Sequence, residues 1–449
     1  STTGVAVDSP GNQQDGSFNP SISAGVRYVA CQAGDDSFVL PDCGWADIFV
    51  HDRTTGMTTR VSVDSSDNQG AGHSEFPSIS ADGRYVAFQS WAPDLVAGDT
   101  NGGLQDGGQL LYRAATTAAD IFVHDRTTAT TERAMGDGVA PPPGAPLLGD
   151  GTSLPNSPRA VSLDGRFVAF ESLAANLVSG DTNGSSDIFV RDRLLATTWR
   201  VSVDSLGHQA DGRSGSPAIS ADGRFVAFES SAANLVAGDA NGAADVFVHD
   251  RTTGVTERVS TDSTGGQHGG ASLHPSISAD GRFVAFHSRA DLVPVDDNGF
   301  ADVYVRDRTA GTTTRVSLDS AGLQVDGPSV VPTISANGQV IAFKSCAGNL
   351  VVGDTNGDSD TFAHDRTTGA TTRISVDSSG NQADASPGLD VPSALSADGR
   401  YVAFSSPATN LVAGDTNGQW DVFVHDRTTG ATTRISVDSS GNQGVRDSW

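Results

Sequence analysis

Lysine is almost missing from this chain: it occurs once, at Lys344, against 27 arginines. The skew fits a GC-rich genome and excludes no mechanism. Basic residues are scarce altogether, 28 against 54 acidic ones, for a net charge of −26. Such a surface repels nucleic acid and anionic membranes, which excludes both as partners. No run of about 18 apolar residues exists, so no membrane-spanning helix is expected. No charged start precedes an apolar core, so any signal peptide is expected to precede Ser1. Cysteine is limited to three. Cys31 and Cys43 stand close enough to staple one loop as a disulfide, leaving Cys346 over; three buried thiols are the alternative. A disulfide implies an oxidising compartment, secreted, extracellular or periplasmic. Helical periodicity is absent except over Leu110–Ala119. The apolar fraction is ordinary, about 47% with glycine counted, which excludes global disorder.

What is abundant is repetition. Seven segments read roughly P-S-I-S-A-D-G-R-(F/Y)-V-A-F, starting at Pro20, Pro77, Pro158, Pro217, Pro275, Pro332 and Pro392. Their second serines (Ser23, Ser80, Ser162, Ser220, Ser278, Ser335, Ser396) are spaced 57, 82, 58, 58, 57 and 61 apart. Each unit holds four short runs. In the fourth these are Ala218–Ser220, Phe225–Phe228, Asp245–Asp250 and Thr256–Thr261. Runs of four to six β-branched and aromatic residues, alternating with period two and parted by Asp-Gly and Thr-Thr-Gly turns, are antiparallel strands. Seven four-stranded meanders predict an all-β, seven-bladed β-propeller, which hides sheet edges by radial packing. A linear solenoid is the alternative, but no polar capping repeat is present. The predicted repeats span about 20–64, 77–134, 158–204, 217–262, 275–319, 332–377 and 392–438. The third carries a slipped register at Pro158.

The core S-x-D-G-(R/K)-x-x-A-F followed by D-(I/V)-(F/Y)-V-x-D resembles the TolB-type, WD40-like (PD40) propeller repeat of bacterial exported proteins. The resemblance covers nearly the whole chain, roughly Pro20 to Asp438, and is specific for fold. It is nearly silent on function, because that fold hosts scaffolds, binding modules and enzymes.

Between the second and third strands lies G-D-T-N-G-x-x-D. Intact copies are Asp181/Asn183/Asp187, Asp239/Asn241/Asp245, Asp296/Asn298/Asp302, Asp354/Asn356/Asp360 and Asp415/Asn417/Asp421. Hard oxygen ligands at alternating positions around a glycine turn are what calcium loops use, so Ca²⁺ is one expectation. The bidentate Glu of an EF-hand is missing. Plain turn chemistry is the other expectation, since Asp and Asn stabilise turns through their own side chains. The distal Asp at a strand start favours metal, as does the concentration of charge. The first repeat keeps only Asp47 of the pattern; in the second an insertion parts Asp99 and Asn101 from Asp120.

Loops alternate faces in a meander. The Asp-Gly-Arg and Thr-Thr-Gly turns share one face, and the acidic loops and Asp-Ser-Ser-Gly-Asn-Gln connections share the other. The irregularities all fall on the second: insertions 102–119 and 134–156, and the cysteine loop. Long loops on a rigid scaffold carry specificity, so a protein or glycan partner is expected on that face around repeats 1–3.

No G-x-S-x-G, H-E-x-x-H, G-x-G-x-x-G or P-loop occurs, so no catalytic residue is assigned. His51, His124, His249, His364 and His425 share one repeat position with Arg191 and Arg306, which reads as an exposed strand position. His208, His268, His274 and His287 are irregular, and a pair among them is a catalytic candidate. Trp91, Trp199 and Trp420 break the pattern; packing or stacking on a sugar would explain them.

The fourth-strand motif occurs eight times, once too often. The surplus copy, Thr3–Asp8, makes residues 1–19 an expected closing strand for blade seven. Left free, it would instead pair with a neighbouring molecule and give a homo-oligomer by strand exchange. The reading is a secreted, non-enzymatic binding or surface-scaffold propeller, calcium-stabilised. The alternatives are a metal-assisted polysaccharide lyase or hydrolase using the central funnel, and a self-assembling extracellular structural protein. An enzyme predicts asymmetric His/Arg/Asp clusters near the axis.

Overall fold

Each repeat folds into one sheet because its four runs are too short and too evenly alternating for anything else. The computed structural model describes residues 17–34, 45–99, 119–134 and 160–443. These form seven four-stranded antiparallel sheets, each in sequential strand order, and no helix occurs among the described residues. Blade four is representative, with strands Ser214–Ile219, Phe225–Ser230, Asp245–Asp250 and Val255–Arg258. The first strand of a full blade starts three residues before the marker proline, as Ser17–Ile22 does before Pro20.

The core lies between blades. Val226 and Phe228 pack against Ala169, Val190 and Val201 of blade three. Ala227, Val246 and Val248 pack against Val284 and Phe286 of blade five. Both faces of the middle strands are therefore covered, and seven such clusters close a ring. That overturns the reading of the shared histidine position. His51, His124, His249, His364 and His425 are buried rather than exposed. Period-two alternation marks an outer side, but stacked sheets leave that side no water.

Those histidines belong to a latch. The Thr256 hydroxyl donates to the Val203 carbonyl of the preceding blade at 2.5 Å and lies 2.8 Å from His249 Nδ1. The threonine has one hydrogen, already given to the carbonyl, so the imidazole must be the Nδ1–H donor. Arg191 and Arg306 make the same contact with Thr198 and Thr313. Burial lowers all five imidazole pKa values, that of His249 to about 4. A basic group depressed in this way destabilises the fold as pH falls below its unfolded value near 6.5 and through the folded one. Asp415, raised to about 6, and Asp181, Asp245, Asp302, Asp360 and Asp421, also raised by burial, work against this as they take up protons. The imidazoles therefore contribute a drop in the melting midpoint between pH 6.5 and about 4. His249→Arg, native at this position in blades three and five, should fold and flatten that drop; an unchanged slope would contradict the assignment.

The ring closes with the same latch. Thr58 of blade one donates its hydroxyl to the Val437 carbonyl and its backbone N–H to Ser439 Oγ, at 2.6 and 2.9 Å. Thr432–Arg434 is the outermost strand of blade seven, so the C-terminal copy of the motif fills that place. Ser17–Asn19 belong to the innermost strand of blade one, which corrects their assignment to a closing strand. Residues 1–16, including the surplus copy Thr3–Asp8, lie outside the described residues, as do most of both insertions and the proposed helix at 110–118. Cys31 is buried between blades one and seven, and burial pushes its thiol up to about 12. Its expected partner Cys43 lies outside the described residues.

Candidate functional site

The first strands adjoin one another around the ring and so line a central channel. They run from the face carrying the acidic loops, here the loop face, to the opposite turn face. In blades one, two, four, five and six each is bulged at an X-Pro pair: Asn19, Phe76, Ser216, His274 and Val331 all have φ between 50° and 53°. Left-handed backbone is uncommon without glycine and strained for β-branched Val331. The bulge takes a backbone N–H out of the sheet ladder, and the second strand of the preceding blade supplies an acceptor. Gln32 Oε1 accepts from Phe76 N, Glu229 Oε2 from His274 N at 2.8 Å, and His287 Nδ1 from Val331 N. Blade six has Lys344 at this place, which can only donate. It bonds Thr361 Oγ1 at 2.8 Å, and the first strand of blade seven is reduced to Ala394–Leu395.

This acceptor position varies around the ring: Gln32, Gln89, Glu171, Glu229, His287, Lys344, Ser405. It lies near the loop-face end of the second strand, where Gln89, Glu171, His287, Lys344 and Ser405 are buried. Arg213 lies 3.3 Å from Glu171, and the His274 and His287 rings stack with centroids 5.2 Å apart. Burial lowers the His287 pKa to about 3, so that ring is uncharged near neutral pH. His208 and His268 instead hold Asp204 and Asp262 in exposed turns.

The acidic loops sit on the same face, and each pair of carboxylates converges. What fills the space between them is the chain itself. In blade three, Arg200 Nη1 stands 3.5 Å from both Asp181 and Asp187. Gln209 Nε2 donates to both, at 2.8 and 3.1 Å, and Ser202 Oγ donates to Asp187 at 2.5 Å. Asn183 turns its NH₂ end to Asp187, while its oxygen accepts from Ser185 N. Blade four repeats this with Asp239, Asn241, Asp245, Arg258 and Gln267. Blade six does so with Asp354, Asp360, Arg373 and Gln382, Asn356 turning its oxygen to Asp358 N. In blade five Arg315 is 3.3 Å from both Asp296 and Asp302, Asn298 accepts from Phe300 N, and Tyr304 adds its hydroxyl to Asp296. In blade seven Arg434 lies 3.4 Å from Asp415 and Asp421, Asn417 accepts from Gln419 N, and Gln443 bonds the arginine instead. The interrupted second repeat keeps the arrangement: Arg133 joins Asp99 and Asp120 across the insertion, at 3.6 and 3.3 Å.

Two carboxylates and an amide oxygen were the expected calcium donors. The amide oxygens accept from backbone N–H groups, and a guanidinium supplies the counter-charge beside each pair. As arranged, these residues do not fit a calcium cage, which needs six to eight free oxygens. Among the described residues no group of three or more His, Cys, Asp or Glu converges as metal ligands. Burial raises the carboxyl pKa of Asp245, Asp302, Asp360 and Asp421, as expected where two acids share one arginine. Asn183 Nδ2 also donates to the Ala210 carbonyl at 3.0 Å.

No family model and no curated protein matches the chain. Solved structures do. An oligogalacturonate lyase in complex with manganese is 11% identical with a TM-score of 0.53, covering 91% of this chain and 89% of its own. The β-propeller domain of the Trilobed protease from Pyrococcus furiosus, described as having an open velcro topology, is 10% identical with a TM-score of 0.52, covering 93% and 97%. TolB from Acinetobacter baumannii is 15% identical with a TM-score of 0.43, covering 92% and 80%. At these identities the likeness is one of fold, and the fold is a seven-bladed β-propeller of four-stranded antiparallel blades.

Proposed function

We propose that the protein is a non-enzymatic binding module, exported from the cytoplasm, whose loop face meets a protein or glycan partner at the channel mouth. One observation carries this. Residues that hold the ring repeat from blade to blade, whereas the loop-face position just after the second strand, exposed or half-buried throughout, differs in every blade: Gly34, Trp91, Leu173, Ser231, Arg289, Cys346 and Pro407. Regular positions serve the fold; irregular ones on a rigid frame serve recognition. No helix among the described residues is long and apolar enough to cross a membrane, which is compatible with export. Calcium stabilisation, the metal part of the reading, would require the ion to displace an arginine and a glutamine in each loop. A manganese-bound propeller of this fold exists, but the present donors support a metal-free scaffold better.

The test is selective masking. In a Cys346→Ser background, which removes the native exposed thiol, a thiol-reactive polymer on Ser379→Cys, in an exposed loop-face turn, should block binding to immobilised glycans and peptides. The same polymer on Thr253→Cys, on the turn face, should not. The reverse pattern would overturn the proposal.

The enzyme reading retains one supporting observation, the uneven Glu171, Arg213, His274 and His287 group beside the axis. Release of unsaturated or reducing ends from a polysaccharide, lost in His287→Ala, would establish it. Homo-oligomerisation through Thr3–Asp8 remains a proposal that light scattering tests.

A further inference from the structure

Aromatic residues cluster in one sector of the loop face. Trp45 and Trp420 stand just before the third strands of blades one and seven. Trp91 follows the second strand of blade two, and His73 precedes its first. Phe18 and Phe76 lie near the loop-face ends of the first strands of blades one and two. Across two blade junctions these side chains pair up. Phe18 and Trp420 have ring centroids 5.2 Å apart, and Trp45 meets His73 edge-on at 5.0 Å. All six are only half-buried.

The repeat register shows how unusual this is. Where blade seven has Trp420, the other blades have Ala46, Ala119, Ser186, Ala244, Ala301 and Ser359. Where blade two has Trp91, the others have Gly34, Leu173, Ser231, Arg289, Cys346 and Pro407. Three of the five tryptophans of the chain thus share one sector of one face, at positions where the fold accepts alanine or serine. Packing of the ring does not require them there.

Amide groups and a buried acid lie on the same strands. Asn19 Nδ2 donates to Gln32 Oε1 at 3.1 Å, and Glu75 follows Ser74 on the same strand as Phe76. His73 is neutral, because its Nδ1 accepts the Ala46 N–H at 3.0 Å and burial lowers its pKa. Half-exposed aromatic rings bordered by amide and carboxylate groups match the two sides of a sugar ring, the C–H face and the hydroxyls. Charge then selects among sugars. A protein of net charge −26 repels uronate polymers and leaves neutral ones unopposed.

We infer that the sector of blades seven, one and two is a binding site for a neutral, hexose-based glycan. This rests on the loop-face reading above and names its ligand class. The experiment uses the full chain on an array of neutral and acidic oligosaccharides with poly-L-proline as the peptide arm, followed by titration of tryptophan fluorescence. Neutral oligosaccharides should bind saturably and quench. Trp420→Ala and Trp45→Ala should each weaken binding about tenfold or more with an unchanged melt, while Trp199→Ala on another part of the ring should not. Two variants are used so that misfolding of one leaves the other decisive. Binding only to uronates, or to no sugar, overturns the glycan inference. Poly-L-proline binding lost in Trp420→Ala would overturn it too, while leaving the loop-face reading standing. Sugar binding lost only in Trp199→Ala would overturn both.

Discussion

Gly223→Ala should cost about 3 kcal/mol of stability, although it adds one methyl group in a surface turn. The turn places Gly223 at φ 71°, where a Cβ is disfavoured. A Cβ there would also meet Phe167 of the preceding blade at 2.2 Å. Phe167 has no room to yield, because Arg166 and Arg251 lie over its ring at 4.8 and 4.4 Å. Arg166 is in turn held by Asp192 at 2.7 Å, and Arg251 by the Gly223 carbonyl. The repeated turn therefore encodes a junction: Gly83, Gly165, Gly223, Gly281 and Gly338 each lie against the aromatic ring of the blade before, and Gly399 against Val340. Gly254→Ala separates the two effects, since φ is 76° there but nothing lies within 4 Å. It should cost only about 1 kcal/mol. Equal losses for the two variants in denaturant unfolding would contradict the stacking explanation.

Lys344→Met should raise stability at pH 7 by about 2–4 kcal/mol. The amine is completely buried, with Thr361 as its hydrogen-bond partner. Burial lowers its pKa from 10.5 to about 7, against the attraction of Asp360. For a base depressed in the fold, the penalty is full below about pH 7 and disappears as pH rises toward 10.5. Wild-type stability should therefore climb across that window, and the variant should lack the climb. Methionine keeps the volume and loses the charge; the Thr361 hydroxyl left behind subtracts about 1 kcal/mol. A destabilised variant would show that the amine has a partner that outweighs its burial.

The strands, their number and their meander were legible because alternation, turn residues and period are local signals. The carboxylate pairs were legible too, at i and i+6 within one loop. What occupies them was not. Arg200 and Gln209 come from the fourth strand and the following connection, and nothing local ties them to Asp181. A motif therefore located the donors while leaving open whether an ion or an arginine stands between them. The buried histidines were misread for a related reason: alternation cannot tell a solvent face from a face against the next blade. The aromatic sector was half visible, as tryptophans breaking the repeat. Only the ring brings Phe18 of the first repeat against Trp420 of the last. The surplus strand copy shows the limit of counting, since sequence alone could not choose which copy closes blade seven.

The central claim is that the repeated acid is balanced within the chain, by its own arginines and glutamines. Thermal melts of the whole protein in excess EDTA, in millimolar Ca²⁺ and in millimolar Mg²⁺ test it most directly. The account predicts the same midpoint in all three. A rise of many degrees selective for Ca²⁺ would contradict it and make the loops metal sites, because a ligand bound only by the folded state stabilises it by mass action.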